Sequence, residues 1–339
     1  MTSGSGDRWL VTGGAGFIGS ALVRMLLSEP GPVARVTVLD KLTYAGNPAN
    51  LAPVAADPRL RFVRGDICDA ALVEEVMRGQ DRVVHLAAES HVDRSIESAA
   101  EFVTTNVLGT RTLLDAALRA GTATFLHVST DEVYGSIESG SWPESAPVSP
   151  NSPYSASKAA ADLLCLAYAR THGLDVRVTR CSNNYGPYQF PEKVVPLFVT
   201  NLLRGRPVPL YGDGGNVRDW LHVEDHCRGL LLAVAHGRPG EVYNLGGGAE
   251  LSNLDLTRTI LGLVGAGEEM IDRVADRKGH DRRYSVDWGK AAGELGYRPR
   301  HSFASGLADT VAWYRDNPGW WEPPRAVPAA PGRRAGAGV

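Results

Sequence analysis

Tyr154 and Lys158 stand four residues apart in Tyr154-Ser155-Ala156-Ser157-Lys158, so on a helix they share one face and the ammonium lies beside the phenol. A nearby cation favours the phenolate, which brings the tyrosine pKa down from about 10 and makes the side chain a base for a hydroxyl proton. Taken alone, a tyrosine and a lysine at this offset are more often a packed ring and a solvated amine. Upstream, Ser129-Thr130-Asp131-Glu132 follows an apolar run and sets a hydroxyl and two carboxylates at a strand end, where open α/β sheets present their ligands. Thr130 can share the hydrogen bonds of Tyr154. The alternative for Asp131 and Glu132 is an acidic turn that caps the next element.

A second set of residues fits a dinucleotide. Gly13-Gly14-Ala15-Gly16-Phe17-Ile18-Gly19 follows an apolar strand and opens a helix over residues 17–27. Small residues there let the backbone approach a pyrophosphate at the helix N-terminus, where free N–H groups and the dipole favour anions. The alternative is an ordinary strand-to-helix turn. Asp40 ends the second strand 21 positions after Gly19, close to the roughly 20-residue offset at which an acidic side chain meets an adenosine ribose. The same carboxylate repels a 2′-phosphate, which favours NAD over NADP, with adjacent Lys41 tempering the effect. Asp66 follows the third strand and suits the adenine edge, or equally a cap for a helix over 70–77. The positive nicotinamide ring of such a cofactor adds to the pull of Lys158 on Tyr154. Ile67, Leu86, Ala87, Ala88 and Thr105 complete the expected cofactor wall.

These groups need elements to position them. Short β-branched runs at 9–12, 35–39, 60–63, 82–86, 124–128 and 176–180 alternate with segments of helical length, which predicts an α/β fold with a doubly wound parallel sheet of the Rossmann type covered on both faces. From about Tyr185, Gly-Pro and Gly-rich punctuation shortens the elements and predicts a smaller C-terminal α/β substrate-binding domain. The expected division is 7–184 for the cofactor domain, with 219–237 returning to it, and 185–218 plus 238–322 for the second. Residues 323–339, rich in Pro, Ala, Gly and Arg, suit a disordered tail. With 35 basic and 38 acidic residues the net charge is −3, so there is no global positive field for nucleic acid or an anionic membrane. No apolar run approaches the roughly 20 residues needed to span a bilayer, and the N-terminus lacks the order of a signal peptide. Cys68, Cys165, Cys181 and Cys227 are far apart, without a C-x-x-C pair; they suggest no metal site and a reducing cytoplasm.

Taken together, the glycine turn, Asp40, Thr130, Tyr154 and Lys158 resemble the extended short-chain dehydrogenase/reductase superfamily. Further strings are similar to the dTDP-glucose 4,6-dehydratases: Leu42-Thr43-Tyr44-Ala45-Gly46-Asn47, Ala87-Ala88-Glu89-Ser90-His91-Val92-Asp93, Ser129 through Gly135, Ser182-Asn183-Asn184-Tyr185-Gly186-Pro187, Phe190-Pro191-Glu192-Lys193, Arg218-Asp219-Trp220 and Gly279 through Tyr284. They run in the family's order from about residue 8 to 322. Lys278 departs from the family, which commonly has proline there.

The resemblance implies a redox-neutral dehydration of dTDP-glucose to a 4-keto-6-deoxy sugar nucleotide, in which bound NAD stores a hydride and returns it. Tyr154 takes the 4-hydroxyl proton, Glu132 removes the C5 proton, and a protonated Asp131 assists departure of the 6-hydroxyl, its pKa raised by its neighbour and by burial. Arg218 is implied for the diphosphate, because a guanidinium forks across phosphate oxygens, with Lys193 assisting. Asn183, Glu192 and Asn253 are implied at the sugar nucleotide, Asn184 towards the cofactor, His280 and Tyr284 over the diphosphate, Pro209 and Tyr211 beside the base. Ser90, Thr105 and Asn106 are weaker candidates. Each has a plainer alternative: an ion pair with Asp219 for Arg218, a helix cap for Asn253 and a loop position for His280. The thymidine base rests on the resemblance alone, as do a homodimer through helices 106–120 and 154–171 and a product bound for rhamnose or antibiotic deoxysugars.

Other activities share the fold: UDP-sugar 4,6-dehydratases, sugar-nucleotide 4-epimerases and decarboxylases. An epimerase has no use for an acid at a 6-hydroxyl or a base at C5, so the pair Asp131-Glu132 favours dehydration. A non-catalytic NAD-binding sensor would keep the glycines and Asp40 yet need neither Tyr154 nor Lys158.

Overall fold

The computed structural model describes residues 6–28, 33–276 and 278–322; the expected tail lies outside them. Strands β1 (Asp7–Thr12), β2 (Val33–Asp40), β3 (Leu60–Arg64), β4 (Arg82–His85), β5 (Thr124–Thr130) and β6 (Val176–Cys181) fall on the six predicted segments, with ends shifted by one or two residues. They are followed by β7 (Asn183–Tyr185), β8 (Val208–Tyr211), β9 (Val217–His222), β10 (Val242–Leu245), β11 (Glu250–Ser252) and β12 (Ile271–Val274). The large sheet runs β10-β6-β5-β4-β1-β2-β3 and every pairing in it is parallel. Strand order reverses between β1 and β4, which opens a crevice at their C-terminal ends.

Two apolar layers sandwich this sheet. On one side Leu22, Val23, Leu26 and Leu27 of the helix Phe17–Ser28 pack with Cys227, Leu230 and Val234 of the helix Val223–His236. On the other, Val73, Val76, Leu113, Leu114, Cys165 and Leu166 come from the helices Ala70–Met77, Thr110–Ala120 and Pro153–His172. β5 and β6 are buried at every position, as strands covered on both faces must be.

The smaller α/β region has a three-stranded sheet, β11-β9-β7, and a two-stranded one, β12-β8. Phe198, Leu256, Ile260, Leu307 and Val311 fill its core. Two boundaries differ from the expected division. β10, placed by sequence in the second domain, pairs with β6 as the seventh strand of the large sheet, because Val242, Tyr243 and Leu245 bury their side chains in its two apolar layers. β9 does not return to that sheet but lies between β7 and β11; only the helix after it packs back.

The helix that carries Tyr154 is tightly fixed at its start. Ser152 and Ser155 form a reciprocal capping box and Pro153 occupies the first turn, features that together are worth about 1 kcal/mol or more. Thr130 likewise caps the short 3₁₀ turn Asp131–Tyr134 by accepting the Glu132 N–H at 3.3 Å.

Candidate active site

A cleft of about 350 Å³ opens at the C-terminal ends of the large sheet. Its wall contains Gly13, Gly16, Phe17, Ile18, Gly19, Asp40, Lys41, Asp66, Ile67, Leu86, Ala87, Ala88 and Thr105, all selected from the sequence for a cofactor. Thr130, Asp131, Glu132, Tyr154, Lys158 and Asn184 line the same cleft, as do Ser90, Asn183, Glu192 and Lys193. A second, more open cavity of about 580 Å³, bordered by Glu144, Arg170 and Lys290, contains none of the residues singled out by sequence.

The glycine turn fits a dinucleotide because its backbone has no room for side chains. Gly13 has φ +70°, and a Cβ there would lie 2.7 Å from Ala87 N; on Gly19 it would lie 2.2 Å from Gly13 O. The first turn of the helix Phe17–Ser28 therefore faces the cleft as bare N–H groups. Asp40 is oriented by that turn: its Oδ2 accepts Ala15 N–H at 2.9 Å and its Oδ1 accepts Leu42 N–H at 2.8 Å. Burial raises its pKa while those two amides hold it down, and each oxygen keeps a lone pair for a ribose hydroxyl. Asp66 does not cap the helix Ala70–Met77; Asp69 does. Asp66 instead pairs with Lys41 at 2.7 Å and stays below its usual pKa against the cost of burial through that contact.

At the catalytic end, Asp131 is buried and its pKa is raised well above the ordinary carboxylate value, first by burial, then by the fields of Glu132 and Asp219. Thr130 Oγ donates to its Oδ1 at 3.3 Å. Asp131 Oδ2 and Asn183 Oδ1 are buried without a hydrogen-bond partner among the described residues, the condition of groups that await a ligand. Tyr154 departs from expectation. Its pKa is raised well above 10, by burial first and then by the Glu132 carboxylate, with a Thr130 hydrogen bond pulling it back. The phenol faces two carboxylates, whereas Lys158 Nζ donates to Val128 O at 2.9 Å and lies 3.4 Å from His127 Nε2. Lys158 is itself held below its usual value by burial, against the pull of Asp162.

Six of the expected substrate residues do not line the cleft: Pro209, Tyr211, Arg218, Asn253, His280 and Tyr284. Arg218 and Tyr284 stand close behind it, since the Arg218 charge reaches Asp131 and the Glu132 charge reaches Tyr284. Arg218 is not held by Asp219. It lies 4.2 Å over the Tyr284 ring and donates to Val217 O and Asp281 O, while Asp219 accepts from Ser182 Oγ, Gly247 N and Ala249 N. Ser252, not Asn253, caps the helix Asn253–Val264. His280 binds Asp276 at 2.6 Å and meets Tyr211 edge to face. Lys278 sits in a turn before Gly279, whose φ is +62°. Within the cleft, Lys193 Nζ donates to Ser90 O at 2.8 Å, Glu192 pairs with Arg94 at 3.3 Å, and Asn184 is fixed by Ser182 O and His226. Asn106 is structural, bonded to the Glu89 backbone and to Ser157 Oγ.

The GDP-mannose 4,6 dehydratase family model matches residues 10–310. The dTDP-glucose 4,6-dehydratase of Streptomyces antibioticus is 66% identical over 336 residues, covering 96% of this chain and 99% of that one; that of Neisseria meningitidis is 49% identical, covering 92% and 94%. The chain belongs to the dTDP-glucose 4,6-dehydratase family. Within it, the solved structure of DesIV from Streptomyces venezuelae with NAD and TYD bound superposes with a TM-score of 0.91 at 64% identity, covering 93% of this chain and 99% of that one. A UDP-glucose 4-epimerase from Thermotoga maritima shares the fold at a TM-score of 0.85 with 33% identity, over 91% and 99%.

The sequence missed His127, Asp162 and Arg180, a buried polar cluster directly behind Lys158 that contains one ion pair, Asp162 with Arg180. The signal was available in part, since Asp162 follows Lys158 at the same four-residue spacing that joins Lys158 to Tyr154. His222, Glu224 and His301 also converge to within 4.8 Å. Their imidazoles are stacked 3.9 Å apart and Arg228 lies 3.3 Å from His301 Nδ1, an arrangement of parallel rings beside a cation rather than of converging ligands.

Proposed function

We propose the following division of labour for the activity of this chain, an NAD-dependent dTDP-glucose 4,6-dehydratase. NAD on the glycine turn and Asp40 supplies a hydride acceptor for C4, a donor for C6 and a cationic ring beside Tyr154. Tyr154 takes the 4-hydroxyl proton. The C4 ketone acidifies the C5 proton, which Glu132 removes, and Asp131 gives its proton to the 6-hydroxyl so that water leaves. Glu132 then returns a proton to C5 as C6 is reduced. Tyr154 ends the cycle with one proton gained and Asp131 with one lost. The Thr130 hydroxyl, which donates to Asp131 Oδ1 and lowers the Tyr154 pKa, is placed to pass that proton back.

The observation that carries this reading is the high proton affinity of Asp131 beside Glu132, in one cleft with Tyr154 and the glycine turn. A carboxyl that keeps its proton is what departure of a hydroxyl requires. Arg218, with Lys193, is assigned to the diphosphate; Tyr284 and His280 flank it; Asn183, Glu192 and Asn253 are assigned to the sugar nucleotide and Pro209 and Tyr211 to the base. Ser90, whose carbonyl anchors Lys193, borders the sugar.

The test uses dTDP-glucose and UDP-glucose carrying deuterium at C4. Loss of water with deuterium recovered at C6, faster for the thymidine substrate, is expected; conversion to the galactose isomer would overturn the reading. In Glu132→Gln, C4 oxidation should persist while the 4-keto-6-deoxy product disappears. We also propose a homodimer in the cytoplasm. Leu108, Leu118 and Leu163 are 37–55% exposed on the helices expected to pair, and all four cysteines are free. Sedimentation at a monomer mass would remove the dimer.

A further inference from the structure

Tyr154, Lys158 and Asp162 are spaced i, i+4, i+8 along the helix Pro153–His172, so a phenol, an ammonium and a carboxylate follow one another on the face packed against the large sheet. Lys158 thus has a possible counter-charge at each end: the Tyr154 oxygen towards the cleft and Asp162 behind it. Asp162 is fully buried, and its Oδ2 is taken by Arg180 Nε at 2.9 Å. Its Oδ1 lies 3.3 Å from His127 Nε2, the same nitrogen that lies 3.4 Å from Lys158 Nζ. The His127 ring therefore stands between ammonium and carboxylate. Arg180 is in turn held over the Tyr134 ring at 4.6 Å, and Tyr134 Oη donates to Asn244 Oδ1 on β10 at 2.9 Å.

We propose that Arg180, acting through Asp162, is a positioning residue for the reaction: it occupies the carboxylate that would otherwise neutralise Lys158, and so sets how much of the ammonium's charge reaches Tyr154. The inference rests on Tyr154 being the base for the 4-hydroxyl. The remaining groups around Lys158 leave this balance to the pair. His127 and His85 stay neutral at pH 7, the first pushed down to about 4 and the second well below its usual value, both by burial foremost. Cys165 and Cys181 are buried thiols pushed up, away from ionisation. With both histidines uncharged, Lys158 and Arg180 against Asp162 leave one net positive charge behind the phenol. On its open side Tyr154 faces Glu132, Asp131 and Thr130.

The experiment follows the pH dependence of single-turnover C4 oxidation in the holoenzyme, read as cofactor reduction, for Asp162→Asn, Arg180→Met and the double variant. Eight helical residues span about 12 Å, at which one unit charge shifts a pKa by about one unit at an intermediate dielectric. Asp162→Asn should move the acid limb about one pH unit lower, Arg180→Met about one unit higher, and the double variant back to the wild-type position, with KM for dTDP-glucose unchanged in all three. A purely packing role would lower stability without moving the limb in opposite directions. If Arg180→Met fails to fold, Asp162→Asn against the double variant, which removes both partners of the Asp162–Arg180 pair together, decides alone. An unshifted limb in Asp162→Asn overturns the proposal. Tyr154→Phe separates the two failures: full oxidation in it removes Tyr154 as the base, whereas an inactive Tyr154→Phe with an unshifted Asp162→Asn removes only the role of Arg180.

Discussion

The cofactor side of the cleft and its substrate side are held by different means. On the cofactor side, Gly13 N–H donates to Leu39 O at 2.9 Å and the Asp40 carboxylate is gripped by the amides of Ala15 and Leu42, so a stretch of backbone about thirty residues long fixes the geometry. On the side we assign to the substrate the contacts are between side chains and far-off loops. Lys193 reaches Ser90, 103 positions away, and Arg218 is pinned to Asp281, 63 positions away. A backbone-made site tolerates little substitution at its glycines, since a Cβ on Gly13, Gly16 or Gly19 meets main-chain atoms. A side-chain-made site can change one partner at a time, and it is there that substrate preference is free to vary.

The largest contrast should come from the group that joins the two sides. Tyr154→Phe removes the proton acceptor and should cost about 10²–10⁴-fold in turnover with NAD still bound, measured by product formation and cofactor content. Loss of NAD in that variant would break the distinction. Gly19→Ala attacks the backbone-made side alone. The clash with Gly13 O carries an overpacking cost of about 1–3 kcal/mol, which should lower NAD affinity about tenfold or more and be visible in a cofactor titration; unchanged affinity would mean that the turn yields.

Asp131→Asn separates catalysis from stability. Because the folded chain raises the pKa of Asp131, it binds that proton more tightly than the unfolded chain does, so the stabilisation is complete below the unfolded value near ~3.9 and is lost as pH rises through the folded value. Asparagine never ionises. The variant should therefore lose dehydration yet gain on the order of 1 kcal/mol in unfolding free energy at neutral pH, with a flatter fall of stability with rising pH; urea titrations at several pH values would show it. The smallest effect belongs to the rim. Asp66→Asn breaks the ion pair with Lys41, whose side chain is 57% exposed, and should change stability by less than about 1 kcal/mol while weakening NAD measurably if Asp66 touches adenine.

The legibility of the molecule follows the same division. Six strands, the glycine turn, Asp40 and the Tyr154 helix stood out because each is a local pattern: an apolar run, a backbone that must stay bare, a side-chain pair one helical turn apart. β10 did not stand out, since Val242-Tyr243-Asn244-Leu245 is too short to show whether it belongs to one sheet or another. Nor did the caps: Asp69 and Ser252 hold the helix ends where Asp66 and Asn253 had seemed equally suitable by type.

Residue types and spacing alone determined the doubly wound sheet, the dinucleotide turn and the roll of groups able to do acid–base chemistry, because those depend on φ/ψ, periodicity and intrinsic pKa. Tertiary structure alone decided the state of those groups. Asp131 holds its proton more tightly than a free carboxyl does because the fold buries it beside Glu132 and Asp219. Tyr154 resists ionisation because the fold buries it and sets it beside Glu132 and Asp131. Arg180, distant from Lys158 in sequence, governs it through Asp162 because β6 lies against that helix. Electrostatic energies depend on distance and on exclusion of water, and both are properties of the packed molecule rather than of the order of its residues.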